Sequence, residues 1–240
     1  MYKIVKENLS ALFSKIAETK EVFLPIKNAS QTNFGLWTDG AEIDLDTLKT
    51  VKSPKDVFFP QSENLYKCIT DNNDIKIEPE ALKDRDFVVF GVKGCDLKGI
   101  EVLDKVFLSE PVDTFYKARR DHGVIVSFAC SEPEESCFCK VFGIDCAEPD
   151  ADVACWVKGD EIFWKALTAK GEALTEKCAS VLSNADETAV DSLKSDIRNI
   201  VEKLPYMNLS LEGWDGTKTE EKFNSPVWEE LYKPCLACGT

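Results

Sequence analysis

The sequence predicts an α/β fold in which a mixed, partly parallel sheet is flanked by helices. Two short apolar runs carry this prediction, residues 86–92 (DFVVFGV) and residues 123–128 (GVIVSF). Continuous β-branched and aromatic runs of this length are typical of strands that are buried on both faces. A helical pattern with Ile100 and Leu103 lies between them. We therefore expect a βαβ unit around residues 86–130, with the usual right-handed crossover.

The segments before this unit fit the same fold class. Residues 2–19 have apolar side chains at helical spacing and predict an amphipathic helix. Residues 21–26 and 33–38 predict two strands that pair with each other. Residues 63–69 predict a helix, on which Cys68 is expected to fill the core.

The segments after it predict a hairpin, two helices and a linker. Residues 152–156 and 161–167 flank a glycine-containing turn, which indicates the hairpin. Residues 175–182 and 191–204 have helical patterns. We expect residues 1–208 to form one N-terminal α/β domain. Residues 209–240 are expected to hold an exposed linker, a short helix and the start of a further domain.

Composition and charge exclude several classes of function. The net charge of −14 argues against nucleic-acid binding, which needs clustered lysine and arginine. No apolar run approaches the roughly 18–20 residues of a membrane span. The charged N-terminus has no signal-peptide core, so we expect a cytoplasmic protein. Ten cysteines and a single histidine in such a chain favour a metal or redox role in which sulfur supplies the ligands.

Three of these cysteines lie in one loop, residues 130–139 (CSEPEESCFC). The proline and the acidic residues exclude a regular element, and three thiols in one loop indicate a metal, a cluster or a disulfide. Cys95 and Cys130 each follow a predicted strand of the βαβ unit. Parallel strands end at the same edge of a sheet, where open α/β folds place their sites. The sequence therefore predicts that Cys95, Cys130, Cys137 and Cys139 converge at the carboxyl edge.

The last residues, 233–240 (KPCLACGT), contain Cys235 and Cys238. Ferredoxin-type ligation of a [4Fe–4S] cluster begins with such a spacing and continues with a third cysteine. We interpret the segment as the truncated start of a ferredoxin-like domain. A natural terminus with a zinc or redox C-x-x-C pair is the alternative.

Several motifs occur in the order found in one known family. They are residues 57–61 (VFFPQ), 91–98 (GVKGCDLK), Tyr116 with Arg119 and Arg120, the 130–139 loop and residues 235–239 (CLACG). This set resembles the iron–sulfur electron-transfer family, the 4Fe–4S dicluster-domain proteins, that includes the beta subunit of sulfhydrogenases and the corresponding subunit of anaerobic sulfite reductase. The resemblance covers nearly the whole chain.

The resemblance implies a non-catalytic electron-transfer subunit of a cytoplasmic, anaerobic redox complex of the hydrogenase, sulfur reductase or sulfite reductase type. It would relay electrons between a catalytic subunit and a second one that binds flavin and NAD(P). By the same resemblance, Cys95, Cys130, Cys137 and Cys139 would ligate a [4Fe–4S] cluster, which aerobic preparation can remove. Further [4Fe–4S] clusters would belong to the missing C-terminal part.

Other residues are expected to modify this site. Cys146 could compete as a ligand, because it follows Cys139 where the family pattern has a small, glycine-rich stretch. Lys93, Arg119 and Arg120 could supply positive charge that favours the reduced cluster. Two other functions stay open: a structural zinc-binding or interaction domain that uses the same thiolates, and a thiol–disulfide enzyme.

Overall fold

A computed structural model describes residues 1–71, 74–213 and 216–234 of the chain. The strands are β1 (Tyr2–Val5), β2 (Glu21–Asn28), β3 (Gln31–Leu36), β4 (Tyr66–Asp71), β5 (Asp74–Pro79), β6 (Phe87–Lys93), β7 (Gly123–Phe128), β8 (Val153–Lys158), β9 (Glu161–Ala166) and β10 (Ser183–Asn184). The helices are α1 (Leu9–Ala17), α2 (Lys55–Phe58), α3 (Gly94–Phe107), α4 (Thr114–His122), α5 (Ala169–Lys177), α6 (Asp191–Val201), α7 (Gly216–Glu221) and α8 (Trp228–Leu231).

Eight of the strands form one mixed sheet in the order β10-β1-β9-β8-β7-β6-β2-β3, and β4 and β5 form a separate hairpin. The centre of the large sheet is parallel, because β2, β6, β7 and β8 run in one direction, and the remaining pairs are antiparallel. Both the predicted α/β class and its βαβ unit are confirmed. In the parallel register, Lys93 at the end of β6 pairs with Phe128 at the end of β7. The segments that follow Lys93 and Phe128 therefore both begin at the same edge of the sheet.

Helices cover both faces of the sheet, which explains why the two predicted strands are almost entirely apolar. Val88 and Phe90 of β6 pack with α1 and α5, whereas Phe87 and Val89 pack with residues of α2, α3 and α4. All residues of β7 are buried. A strand between two helical layers has no solvated face, so its sequence cannot alternate between apolar and polar residues.

The N-terminal helix predicted over residues 2–19 is wrong in its first part. Tyr2–Val5 forms β1, which pairs with β9 and with β10, and α1 begins only at Leu9. Ile4 and Val5 are β-branched and suit a strand as well as a helix. The pairing with β9, which lies about 160 residues away in the sequence, determines that this segment forms a strand and not a helix.

The helix predicted over residues 63–69 is also wrong. This segment enters β4 of the hairpin, and Cys68 is exposed instead of filling the core. The hairpin register places Cys68 opposite Ile77, on the same face as Tyr66 and Ile75. The alternation of apolar and polar residues in the partner strand β5 is a strand signal that a helical count of apolar positions in residues 63–69 overlooks.

Helix α5 begins earlier than the predicted helix over residues 175–182, because the side chain of Thr168 accepts a hydrogen bond from the amide of Gly171 and caps it. Cys155 in β8 and Cys178 at the end of α5 are both buried, as expected for core cysteines. In the part of the chain that the structure describes, every helix is too short or too polar to cross a lipid bilayer.

Candidate metal centre

One cavity brings together the cysteines that the sequence predicts to converge. It has a volume of about 430 Å³ and lies at the edge of the sheet where β6 and β7 end. The cysteines that line it are Cys95, Cys130, Cys137, Cys139 and Cys146. A cavity of this volume falls within the range of small-molecule and cofactor sites, roughly 300–1,000 Å³. The structure thus places all four predicted thiols, and the competing Cys146, around one space.

The two parallel strands position the first two thiols. Cys95 lies in the first turn of α3, directly after β6. Cys130 follows β7 by two residues, and its amide donates a hydrogen bond to the carbonyl oxygen of Cys146 over 2.9 Å. Because β6 and β7 end at the same level, Cys95 and Cys130 enter the cavity from neighbouring positions on the sheet edge.

The loop after Cys130 supplies the other three thiols by folding back on itself. The amide of Cys137 donates to the carbonyl oxygen of Glu134 over 2.9 Å, which closes the first turn. A 3-10 turn, Cys139–Phe142, follows and ends at Gly143, which has a φ of +70° that glycine adopts readily. The amide of Ile144 then reaches back to the carbonyl oxygen of Cys139 over 3.2 Å.

As a result of this fold-back, two sulfurs come into contact. The Sγ atoms of Cys139 and Cys146 are 2.9 Å apart. Cys146 is buried, and Cys139 is half-buried at the cavity wall. This distance is shorter than the separation of two sulfurs that both bind metal, so the two thiols cannot both be ligands in this arrangement.

The residues on either side of Cys146 are held by hydrogen bonds, one in the interior and one at the surface. Trp156 is fully buried, and its indole Nε1 donates to the carbonyl oxygen of Ala147 over 2.7 Å. Arg198 of α6 donates to a carboxylate oxygen of Asp145 over 2.7 Å. Cys146 therefore lies between two anchored residues, whereas Cys139 lies at the beginning of a surface turn.

Burial shifts the pKa values of the thiols at the sheet edge. Burial raises the pKa of Cys130 to about 11, and the nearby Lys93 ammonium opposes this shift. Cys95 as a residue is exposed, but the desolvation of its thiol by the surrounding atoms, together with the carboxylate of Asp96, also raises its pKa. Without a bound metal these two groups are protonated at neutral pH, so binding a metal through them releases protons.

The contacting pair behaves differently from the other thiols. A hydrogen bond from Cys146 lowers the pKa of Cys139 to about 6, because the second thiol stabilises the thiolate of the first. The same hydrogen bond, with burial in addition, raises the pKa of Cys146 well above its usual range. Within the pair, the negative charge thus belongs to Cys139 and the proton to Cys146.

Two lysines bring positive charge to the cavity. Lys93 is half-buried and lines the cavity. Burial lowers the pKa of Lys93, and negative charge on the nearby Cys130 and Cys95 would raise it. Lys49 donates to Glu134 over 2.5 Å and to Ser136 over 3.1 Å, and the hydrogen bond to Glu134 raises its pKa. The sequence predicts Lys93 at this site. It does not predict Lys49, which belongs to an irregular segment with no sequence signal that connects it to the cysteine loop.

The structure places Arg119 and Arg120 elsewhere, which corrects the expectation that they supply charge to this site. Both lie at the end of α4, before β7 begins, and a six-residue strand separates them from Cys130 by about 20 Å. Arg119 forms an ion pair with Glu63. Arg120 binds both carboxylate oxygens of Asp104, over 2.7 and 2.9 Å. The ion pairs of Arg119 and Arg120 thus stabilise the fold at the opposite edge of the sheet.

Apolar side chains surround the mouth of the cavity. Phe138 and Phe142 are about half exposed, and their ring centroids are 5.8 Å apart. Val102 of α3 is exposed on the other side. The acidic residues of the loop, Glu132, Glu134 and Glu135, are exposed, as expected for groups that would oppose electron uptake. The mouth is thus apolar, and the carboxylates of the loop lie on its outer surface.

The cysteines line a cavity, and their side chains are not arranged as a coordination site for a single metal ion. Over residues 1–71, 74–213 and 216–234, no group of three or more histidine, cysteine, aspartate or glutamate side chains is arranged to hold a metal ion. The predicted ligands Cys235 and Cys238 lie outside the described residues.

The comparisons with known proteins give one relative over nearly the whole chain. No family model matches the sequence. The sequence is 30% identical over 243 residues to sulfhydrogenase 2 subunit beta of Pyrococcus furiosus. The match covers 99% of this chain and 69% of that protein.

Proposed function

The chain belongs to the family of sulfhydrogenase beta subunits, and from this premise we propose that it is an iron–sulfur electron-transfer subunit whose cysteine-lined cavity holds a [4Fe–4S] cluster. In this proposal the chain is one subunit of a redox complex of the hydrogenase, sulfur reductase or sulfite reductase type. The observation that carries the proposal is the convergence of thiols from β6, β7 and the 130–139 loop on one cavity of cofactor size.

The donor set fits such a cluster. Soft thiolates select iron–sulfur clusters, zinc or Cu(I), and a [4Fe–4S] cluster takes four of them. Cys95, Cys130, Cys137 and Cys139 are the proposed ligands. Cys139 is preferred to Cys146 because it is half-buried at the cavity wall, whereas Cys146 is buried between anchored neighbours. Some cavity volume beyond one metal ion is needed for four iron and four sulfide atoms, and the cavity provides it.

A bound cluster would supply a one-electron carrier, and the residues of the chain set the environment of that carrier. Lys93 and Lys49 place positive charge beside the ligand thiolates, which favours the more negative, reduced state. The lysines thereby offset the burial of Cys130, which by itself disfavours additional negative charge.

The apolar mouth supports a role in transfer between subunits. Cys95 is exposed and the loop between Cys137 and Phe142 lies at the surface, so a partner that covers Phe138 and Phe142 comes close to the cavity. Burying such a rim also excludes water from the site. We propose that one partner is a catalytic redox subunit and the other is a flavin- and NAD(P)-binding subunit.

The experiment is anaerobic reconstitution of the protein with ferrous iron and sulfide. The expected product contains four iron and four acid-labile sulfide atoms at this site per chain, with a broad visible absorbance and an electron paramagnetic resonance signal after reduction. The variant Cys130→Ser should lose this signal. Cys68→Ser is the matched control, because Cys68 is an exposed cysteine on the separate hairpin and should leave the signal unchanged.

Binding of zinc in place of a cluster would contradict the proposal. If the protein purified without oxygen binds one zinc ion through the same thiols and takes up no sulfide, the structural zinc-domain interpretation is correct and the electron-transfer proposal is wrong. The reconstitution should be made on both the 240-residue chain and its Cys235→Ser, Cys238→Ser double variant, so that iron bound at the C-terminal pair is not attributed to the cavity.

A further inference from the structure

The contact between Cys139 and Cys146 differs from the rest of the thiol set. Their Sγ atoms are 2.9 Å apart, which is about 0.9 Å longer than a disulfide bond. Cys139 is half-buried, Cys146 is buried, and both line the cavity. The two residues are seven positions apart, and the backbone hydrogen bond between Ile144 and Cys139 already closes the loop between them. Forming a bond between these sulfurs thus requires a shift of the side chains, with no rearrangement of the loop.

We propose that Cys139 and Cys146 are a redox-sensitive pair, which forms a disulfide when the cavity is empty and thereby removes one ligand from it. The part of this inference that concerns ligand loss rests on the proposed function; the part that concerns the disulfide does not. In the reduced state Cys139 can turn its sulfur into the cavity. In the oxidised state the sulfur is bonded to Cys146 and can no longer bind metal.

The oxidation has a defined balance with a small peroxide as the oxidant. The sulfur of Cys139 attacks hydrogen peroxide, the O–O bond breaks, and a sulfenic acid and one water are formed. The sulfur of Cys146 then attacks the sulfenic sulfur, the S–O bond breaks, and the second water leaves with the thiol proton. In sum, two thiols and one peroxide give one disulfide and two waters, and two electrons pass from the sulfurs to the peroxide.

The surroundings of the pair explain why it is preferred to other pairings. The segment of Cys146 is held by Trp156 in the interior and by Arg198 at the surface, which restricts the position of its sulfur. Cys155 is buried in the core of the sheet and Cys68 is exposed on the separate hairpin, so neither competes. A cluster that occupies the cavity engages Cys139 and protects the pair from oxidation.

Peptide mapping of metal-free protein tests the disulfide. Trypsin cleaves after Lys140 and so separates a peptide of residues 121–140, which holds Cys130, Cys137 and Cys139, from a peptide of residues 141–158, which holds Cys146 and Cys155. After treatment with hydrogen peroxide and without reductant, these peptides should be found joined, with the loss of two hydrogen atoms. After treatment with a dithiol reductant they should be found apart.

Single variants identify the cysteines that are joined. The cross-link should be absent from Cys139→Ser and from Cys146→Ala, and should remain in Cys130→Ser, Cys137→Ser and Cys155→Ser. Cys146→Ala keeps a small apolar residue at the buried position, and a circular dichroism spectrum checks that it is folded. A cross-link that survives in Cys146→Ala, or no cross-link in the folded parent protein, would overturn the proposal.

Reconstitution after oxidation tests the consequence for the site. Peroxide-treated parent protein should fail to take up the cluster until it is reduced, whereas Cys146→Ala treated in the same way should take it up as fully as untreated protein. If the oxidised parent takes up the cluster without reduction, the disulfide does not close the site and the inference is wrong. If the disulfide forms but no variant and no condition binds iron and sulfide, the proposed function fails and the redox pair stands.

Discussion

Replacement of Arg120 by methionine separates a structural role from a role at the metal centre. Arg120 donates to both carboxylate oxygens of Asp104, and the hydroxyl of Tyr116 donates to one of the same oxygens over 2.6 Å. About a quarter of each charged side chain is exposed, 23% for Arg120 and 25% for Asp104. The variant therefore leaves a largely buried carboxylate with a single neutral donor. The guanidinium also lies 5.1 Å from the centroid of the Phe58 ring, a contact that is lost with it.

The magnitude follows from the two hydrogen bonds. A charge-assisted bond contributes about 1.5–3 kcal/mol when it is fully buried, and the partial exposure of this pair favours the lower end. Because Tyr116 still donates to Asp104, the expected loss in the free energy of unfolding is about 2–3 kcal/mol. For a chain of this length, this corresponds to a fall in Tm of about 4–12 °C.

The assay is thermal and urea unfolding followed by circular dichroism, with Lys117→Met as the matched control. Lys117 lies on the same helix and pairs with Asp121, but both side chains are more than half exposed, so the control should lose no more than about 0.5 kcal/mol. The reasoning is refuted if Arg120→Met is as stable as the control. It is also refuted if Arg120→Met changes the reduction potential of the reconstituted cluster as much as a substitution of Lys93 does.

Three further outcomes follow from individual residues. Lys93→Met should lower the reduction potential of the reconstituted cluster by ~40–90 mV. The reason is that losing a unit charge within about 8–16 Å of the cluster destabilises the reduced state by ~1–2 kcal/mol at an effective dielectric constant of about 20. Redox titration followed by paramagnetic resonance measures the potential, and an unchanged value contradicts the prediction. Gly171→Ala should lower the free energy of unfolding by about 3 kcal/mol, because the new methyl group would overlap the backbone carbonyl of Asp152; denaturant unfolding measures it. Hydrogen bonding by Lys20 lowers the pKa of Asp86, so the stability that this carboxylate contributes is present above its unfolded pKa of about 3.9 and is lost as the pH falls through the lower folded value. The difference in unfolding free energy between the parent and Asp86→Asn, below about 1 kcal/mol because the carboxylate is half exposed, should therefore be present at about pH 5 and vanish near about pH 2; a difference that grows as the pH falls between these two values would contradict it.

The central strands could be predicted from the sequence because their environment determines their composition. The strand predicted over residues 123–128 has the same bounds as β7, and the strand predicted over residues 86–92 differs from β6 by one residue at each end. Both are buried on two faces, so nearly every position is apolar, and the buried hydroxyl of Ser127 donates to the carbonyl oxygen of Val92 over 2.8 Å. Their parallel pairing in turn allows the positions of Cys95 and Cys130 to be inferred from the sequence.

The elements at the margins of the sheet could not be predicted in the same way. β1 is formed because β9 and β10 offer it partners far away in the chain, and a local count of apolar positions carries no information about those partners. The hairpin of β4 and β5 has no core of its own, so Cys68 and Ile77 are exposed although their residue types suggest burial. In both cases the sequence is compatible with two structures, and contacts outside the segment select one.

The same limit applies to the ranking of the thiols. By spacing, Cys139 is the natural companion of Cys137, and Cys146 is only a nearby competitor. The turn that ends at Gly143 reverses the chain, and its consequence is that the competitor lies in contact with the ligand it would replace. Spacing counts residues along the chain and cannot represent a reversal, so it could propose both cysteines but could not show that they exclude each other. Because the two sulfurs in contact cannot both be ligands, the choice between metal binding and disulfide formation is a property of the pair, and variants of Cys146 are expected to change the response of the site to oxidation without changing its ligand set.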